Sequence, residues 1–481
     1  MTYRPTIGLE VHAELATETK MFCRCKNDPE ASEPNVNVCP VCLAHPGSLP
    51  AANRDAIYRV LRVGAALGSK LADYSEFDRK SYFYPDIPKG YQITQYEYPF
   101  VAGGELAGVA ITRVHLEEDT ARSSHEGADK TSEVDFNRAG VPLMELVTEP
   151  VIHDAKTAGN FARELQQLLR TLGVSHANLE KGEMRIEANI SVSKTDVFGT
   201  KVEVKNLNSF RSVERAIEFE IARQSKLIDE GGVVSQETRG WDEGKQETFR
   251  QRSKEGSADY RYFPEPDLPK ILRRDVPEWS DEALVASLPE LPAAVRARYQ
   301  ALGMKDEDAT FVAYDSARRE FFDAVIALLA NDTSTHALAI NYFTSDLSGL
   351  AANVTNAKND DESEGETTYG KVTPESFAEL IRMVKENKLS SRGAKDVLAI
   401  MFEKGGNPET LATTAGLMQV SDPAALQEAV RGVLEANPGV VEEYKAGKEA
   451  GLQFLLGQSM KATKGAGNPA LLRELLLKEI S

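Results

Sequence analysis

The sequence predicts an α+β protein in three parts: a strand-rich domain over residues 1–292, an all-helical domain over 293–405 and a small helical tail over 406–481. Three observations carry this reading. Before residue 290 several stretches alternate apolar and polar residues, the period-two mark of half-buried strands. From about Pro292 onward the apolar residues recur at helical spacing. Gly405-Gly406 then breaks that pattern, and the remainder is rich in Ala and Leu. At 481 residues the chain exceeds what one hydrophobic core sustains.

The first strand is Ile7 to Leu15. Ile7, Leu9, Val11, Ala13 and Leu15 share one face; Glu10, His12 and Glu14 share the other. A helix follows Pro50, with Asn53 placed to cap it. The segment FDRKSYFYPDIPKGYQITQYEYPF mixes Tyr82, Phe83, Tyr84, Tyr91, Tyr96 and Tyr98 with Lys80, Lys89 and Gln92. Pro85 and Pro88 predict no regular element there, only a rim on the sheet or a lid over an anionic ligand. A second strand puts His115, Glu117 and Asp119 on one face. Asp135, Asn137 and Arg138 precede the apolar run LMELVTEP, flanked by Glu145 and Glu149. A helix is predicted over 154–172, then a strand with Arg185, Glu187, Asn189 and Ser191 on one face, and another with Lys201, Glu203 and Lys205. SFRSVERAIEFEIARQSKLIDEG is helical and ends at Gly231-Gly232. Beyond it, Arg250, Arg252, Lys254 and Arg261 interleave with Tyr260, Tyr262 and Phe263, either a solvated face or a phosphate grip. The leucine and aromatic spacing after Pro292 is core packing. Residues 356–370 are acidic and polar and read as a mobile loop, and Thr373-Pro374 opens a further helix.

Four strands with carboxylates on a shared side predict a sheet whose concave face is polar. Crowded carboxylates repel, and take up protons unless a cation sits among them. Oxygen ligands suit magnesium, which commonly accompanies phosphates; a solvated strand face is the alternative. The four cysteines form two pairs, Cys23/Cys25 and Cys39/Cys42, with thirteen residues between the pairs. This spacing predicts a closed structural zinc site, with unligated thiols as the alternative.

The net charge of −18 argues against a nucleic-acid binder, but the acid is unevenly spread. Asp360, Asp361, Glu362, Glu364 and Glu366 crowd one loop, while Lys445, Lys448, Lys461 and Lys464 lie in the tail. No apolar run has the length of a membrane span and no signal-peptide core opens the chain, so a cytoplasmic protein without membrane attachment is expected. GxxxxGK[ST], GxGxxG, HExxH and GxSxG are all absent. If ATP is used, another kind of fold holds it.

Several stretches are long and unusual: IGLEVHAEL, NVCPVCLAHPGSLPAAN, FDRKSYFYPDIPKGYQITQY, VHLEEDTAR, DFNRAGVPLMELVTEP, VEVKNLNSFRSVERAIEFEI and DYRYFPEPDLP. Together with the end of the chain they resemble the GatB family, the B subunits of tRNA-dependent amidotransferases, over nearly the whole length. The resemblance implies a glutamine-synthetase-like antiparallel cradle followed by a helical domain and a helical tail. It implies an ATP-dependent carbon–nitrogen ligase of the EC 6.3.5 class. ATP and magnesium would phosphorylate the side-chain carboxylate of misacylated Glu-tRNA(Gln) and/or Asp-tRNA(Asn), and ammonia from a glutaminase A subunit would displace the phosphate. A small C subunit would complete the heterotrimer, and a non-discriminating aminoacyl-tRNA synthetase is a further partner it admits.

By resemblance, Glu10, His12, Glu118 and Glu149 would hold magnesium, with His12 alternatively touching phosphate or water. Lys80, Tyr82, Lys89, Arg138 and Glu187 join Glu10 and His12 as catalytic candidates, the first three also as lining or gate of an ammonia conduit. Glu187 stands where the family has Asp, one methylene shorter. Lys205 and Asn206 would bind the cofactor, the four cysteines zinc, and Lys445, Lys448, Lys461 and Lys464 the tRNA phosphates. Ala44 replaces the family's Gly after CPVCL. Two other functions stay open: a scaffold that only presents charged tRNA, and a free-standing ligase acting on a small carboxylate.

Overall fold

A computed structural model describes residues 3–124, 131–253, 259–329, 332–358, 369–419, 423–463 and 467–480. The acidic run Asp360–Glu366, Lys254 and Lys464 lie outside the described residues. The chain divides into two units, Met1–Pro292 and Ala293–Ser481.

The first unit is built on a ten-stranded sheet. Arg4–Glu14 lies at its centre, antiparallel to Pro142–Thr148 on one side and to Met184–Ser193 on the other. Val109–Glu118 pairs outside Pro142–Thr148, and Val202–Leu207 pairs outside Met184–Ser193. The sheet is mixed and not purely antiparallel, because Val202–Leu207 and Glu237–Asp242 run parallel. The connection between them contains the twenty-residue helix Phe210–Asp229, a crossover of the length that parallel pairing requires.

Alternation along the strands decides which face is covered. Ile7, Leu9, Val11 and Ala13 are buried with Val114, Leu116, Met144, Leu146, Ile186 and Ala188 under helices Arg54–Ala66, Ala155–Thr171 and Phe210–Asp229. The helix starts follow the sequence: the Asn53 side chain accepts the N–H groups of Asp55 and Ala56, and Asp154 and Ser209 each cap a helix in the same way. The opposite face of the sheet keeps its polar residues. The Pro85 and Pro88 kinks do not abolish regular structure around them. Asp78–Ser81 and Tyr91–Thr94 pair as a hairpin, with both prolines confined to the connection.

In the second unit one core runs from Val295 to Ala412 and another from Leu426 to Ile480. The first extends past the expected boundary at 405/406, because helix Pro408–Thr414 buries Pro408 and Ala412 against it. The long helical stretch after Pro292 is cut where the sequence offers new caps. Asp306–Ala313 ends at Tyr314 and Asp315 caps Ser316–Leu328, and Thr373 with Ser376 forms a capping box on Pro374–Lys385.

Candidate active site

Because Arg4–Glu14 is central, its polar face meets side chains from both neighbours. His12 lies directly opposite Glu145 on one side and Arg185 on the other, and Glu145 lies directly opposite His115. Arginine, imidazole, carboxylate and imidazole therefore run in one row across four strands. The Nε2 atoms of His12 and His115 are each 3.4 Å from Glu145 Oε2. Glu117 Oε1 is 3.8 Å from His12 Nε2, and so is Glu10 Oε1. Two residues along the strand, Glu10 directly faces Glu187, a like-charge pairing that destabilises a sheet unless something offsets it. Lys205 offsets part, its Nζ 2.8 Å from Glu187 Oε2 and 3.6 Å from Glu203 Oε1.

The electrostatics follow from the crowding. Burial first, then the charges of Glu145 and Glu187, push the Glu10 carboxyl up to about 7. For His12 burial works downward, but the hydrogen bond and charge of Glu145, with Glu117 and Glu10, outweigh it and raise the imidazole to about 9. Burial opposes ionisation of Glu145 too, and the two imidazoles hold it well below the usual range regardless.

A hollow of about 310 Å³ opens over this row, walled by Lys80, Arg113, Lys201 and Lys205 together with Tyr96, Tyr260 and Tyr262. Two sets of donor atoms lie within 4.8 Å of one another: Glu10, His12 and Glu145, and His115, Glu117 and Glu145. A carboxyl pushed up by burial and by the carboxylates beside it fits a divalent cation. The oxygens suit magnesium better than the imidazoles do.

Glu10, Lys80 and Lys205 line the hollow, with His12 against Glu10 and Glu145 and with Glu187 against Lys205. The structure does not bring Glu118 or Glu149 into either donor set. Glu118 has the parity of Leu116 and points to the opposite face, where Lys89 Nζ lies 2.7 Å from Oε2 and the Ile93 N–H donates to Oε1. Lys89 is thereby placed with Glu118. Glu149 follows a register shift at Val147/Thr148 and accepts the Thr112 hydroxyl. Arg138 donates to the carbonyls of Thr120 and Ala121 beside Asp119, which also pairs with Arg185 at 2.7 Å. Tyr82 packs between Tyr84 and Tyr260, and burial raises its phenol. Asn206 is exposed, with φ 64°. Lys445, Lys448 and Lys461 are exposed on the tail helices and their ends.

His115, Glu117 and Glu145 are the donors that a choice by resemblance left out. Strand parity was the available signal: each shares the face opposite Leu116, Met144 and Leu146.

The four cysteine sulfurs also lie within 4.8 Å of one another. Cys42 Sγ is 3.8 Å from Cys39 Sγ and 4.0 Å from Cys25 Sγ, spacings that a tetrahedral zinc would span. Hydrogen bonding with Cys23 lowers Cys42 most, down to about 5, with the Lys20 charge contributing. Among the described residues no helix is long and apolar enough to cross a membrane.

Two family models match the chain: the GatB/GatE catalytic domain over residues 5–276 and the GatB domain over 320–480. The B subunit of the aspartyl/glutamyl-tRNA(Asn/Gln) amidotransferase of Crocosphaera subtropica is 41% identical, over 99% of this chain and 97% of its own. The chloroplastic/mitochondrial B subunit of the glutamyl-tRNA(Gln) amidotransferase of Physcomitrium patens is 43% identical, over 100% of this chain and 86% of its own. The aspartyl/glutamyl-tRNA(Asn/Gln) amidotransferase B subunit of Caldanaerobacter subterraneus is 42% identical over 100% of both chains.

Proposed function

The chain belongs to the GatB family, and from that premise we propose that it is the subunit of a tRNA-dependent amidotransferase that activates the acceptor carboxylate. We read its sheet as a cradle like that of glutamine synthetase. The substrate is the side-chain carboxylate of misacylated Glu-tRNA(Gln) and/or Asp-tRNA(Asn). ATP phosphorylates it, and ammonia from a partner glutaminase A subunit displaces the phosphate, a ligase reaction of the EC 6.3.5 class. A small C subunit completes the assembly.

The observation that carries this reading is the row His12, Glu145, His115 with Glu10 and Glu117 beside it, under a hollow walled by four basic side chains. A carboxylate is a poor electrophile, and phosphorylation turns one of its oxygens into a leaving group. Lys80, Arg113, Lys201 and Lys205 supply the positive charge that phosphate oxygens need. Glu10, Glu145, Glu117 and His12 would hold magnesium, which when bound neutralises charge on the transferring phosphoryl group. Glu145, held ionised between two imidazoles, keeps that donor set in register. Cys23, Cys25, Cys39 and Cys42 hold structural zinc. Lys445, Lys448, Lys461 and Lys464 meet tRNA phosphates.

The test is reconstitution with the A and C subunits, measuring ATP hydrolysis that depends on aminoacyl-tRNA. We expect Glu145→Gln to lose at least about a hundredfold in turnover, the scale of a removed electrostatic stabiliser, and to keep its tRNA affinity. Unchanged turnover in that variant would leave the chain a scaffold and not an enzyme.

A further inference from the structure

One wall of the hollow has no role in carboxylate activation as described. Tyr96 and Tyr262 are stacked there, ring centroids 4.3 Å apart and planes 14° from parallel. Tyr260 meets Tyr262 edge-on at 6.1 Å, and Tyr82 meets Tyr260 at 6.3 Å. Lys80 Nζ lies 5.0 Å from the centre of the Tyr260 ring, so the ladder reaches a basic wall of the hollow. Tyr96 sits at the outer end and remains 61% exposed although one of its faces is stacked. Its backbone is fixed: the N–H groups of Tyr96 and Glu97 both donate to the buried Asp78 carboxylate, at 2.9 and 3.4 Å.

A ring held in place on one side and open on the other is a pre-ordered stacking surface, since a flat ligand adds to it without ordering the side chain. The chemistry next to it is charged. Lys80, Lys201 and Lys205 share the hollow with the three tyrosines, which puts aromatic faces and phosphate-binding cations on the walls of one cavity. Together these features match a nucleotide, base on the aromatics and phosphates on the lysines.

We infer that Tyr96, backed by Tyr262, is the platform on which an adenine ring stacks. The inference rests on the activation of a tRNA-borne carboxylate proposed above. That reaction brings two adenines to the site, one in ATP and one at the 3′ end of the tRNA. They share the chemistry the platform recognises, and the test separates them.

The reconstituted heterotrimer carrying Tyr96→Ala or Tyr96→Phe is compared with the unmodified complex. Stacking of one base predicts a KM about tenfold higher in Tyr96→Ala, a smaller change in kcat, and recovery in Tyr96→Phe, which keeps the ring and drops the hydroxyl. If the rise is in the KM for ATP, with loss of preference for ATP over CTP, the platform holds the nucleotide base. If it is in the KM for aminoacyl-tRNA, the terminal base is held; uncharged tRNA lacking its last adenosine then inhibits the Tyr96→Ala complex as well as intact tRNA does. Unchanged KM values for both substrates in Tyr96→Ala would overturn the inference while leaving carboxylate activation standing. Absence of aminoacyl-tRNA-dependent ATP hydrolysis in the unmodified complex would instead sink the proposed reaction itself.

Discussion

At the scale of single residues, what alternation predicts and what charge demands separate cleanly. The polar parity of Glu10 and His12 was legible from the strand pattern, as was that of Glu187. That Glu117 joins them and its neighbour Glu118 does not was legible in the same alternation, which the choice by resemblance overrode. Glu149 is separated from Glu145 by a register shift that alternation alone does not mark. Lys205 offsets part of the repulsion in the facing pair Glu10 and Glu187, beside the charge of His12. Lys205→Met should destabilise the protein by about 1–2 kcal/mol, and adding Glu187→Gln should recover part of the loss, read as a coupling energy in urea unfolding. Ala44 gives a second case. The resemblance marks it as a departure from Gly, and the structure supplies the reason: its φ of 55° is left-handed, where a Cβ is strained. Ala44→Gly should raise unfolding stability by about 1 kcal/mol in the same measurement.

At the scale of elements, helix ends were the most legible feature because caps are local. Asn53 does more than cap: its amide also donates to the carbonyls of Thr19 and Lys20, tying the helix to the segment that leads into Cys23. Asn53→Ala should therefore cost about 2 kcal/mol, the upper end for a lost cap, by thermal or chemical unfolding. The gathering of the four cysteine sulfurs at one place was legible from spacing alone. Stripping metal with a chelator should lower the melting temperature of the intact protein, and Cys42→Ser should do the same while reducing bound zinc measured by elemental analysis. A melting curve indifferent to both would remove zinc from the account. The hairpin around the prolines was not legible, since two short strands leave too little pattern beside Pro85 and Pro88.

At the scale of the whole molecule, composition and the proposed function pull in different directions. A chain of net charge −18 repels a polyanion at long range, so the proposed tRNA binding requires a local basic surface. Reversing Lys445, Lys448 and Lys461 to Glu should weaken tRNA binding and reduce its salt dependence by roughly one unit of slope for each phosphate released, measured by filter binding across a salt series. The α+β class was legible because the hydrophobic period changes near Pro292, where the first unit ends. The mixed sheet was not, because strand direction is decided by the crossover helix and not by any strand's own sequence. The central position of Arg4–Glu14 has a consequence during synthesis. This strand leaves the ribosome before either of its partners, which are completed only at Thr148 and Ser193. For most of that interval a nascent chain carries an apolar ribbon with both edges bare, the kind of segment that recruits chaperones or misassembles with its copies.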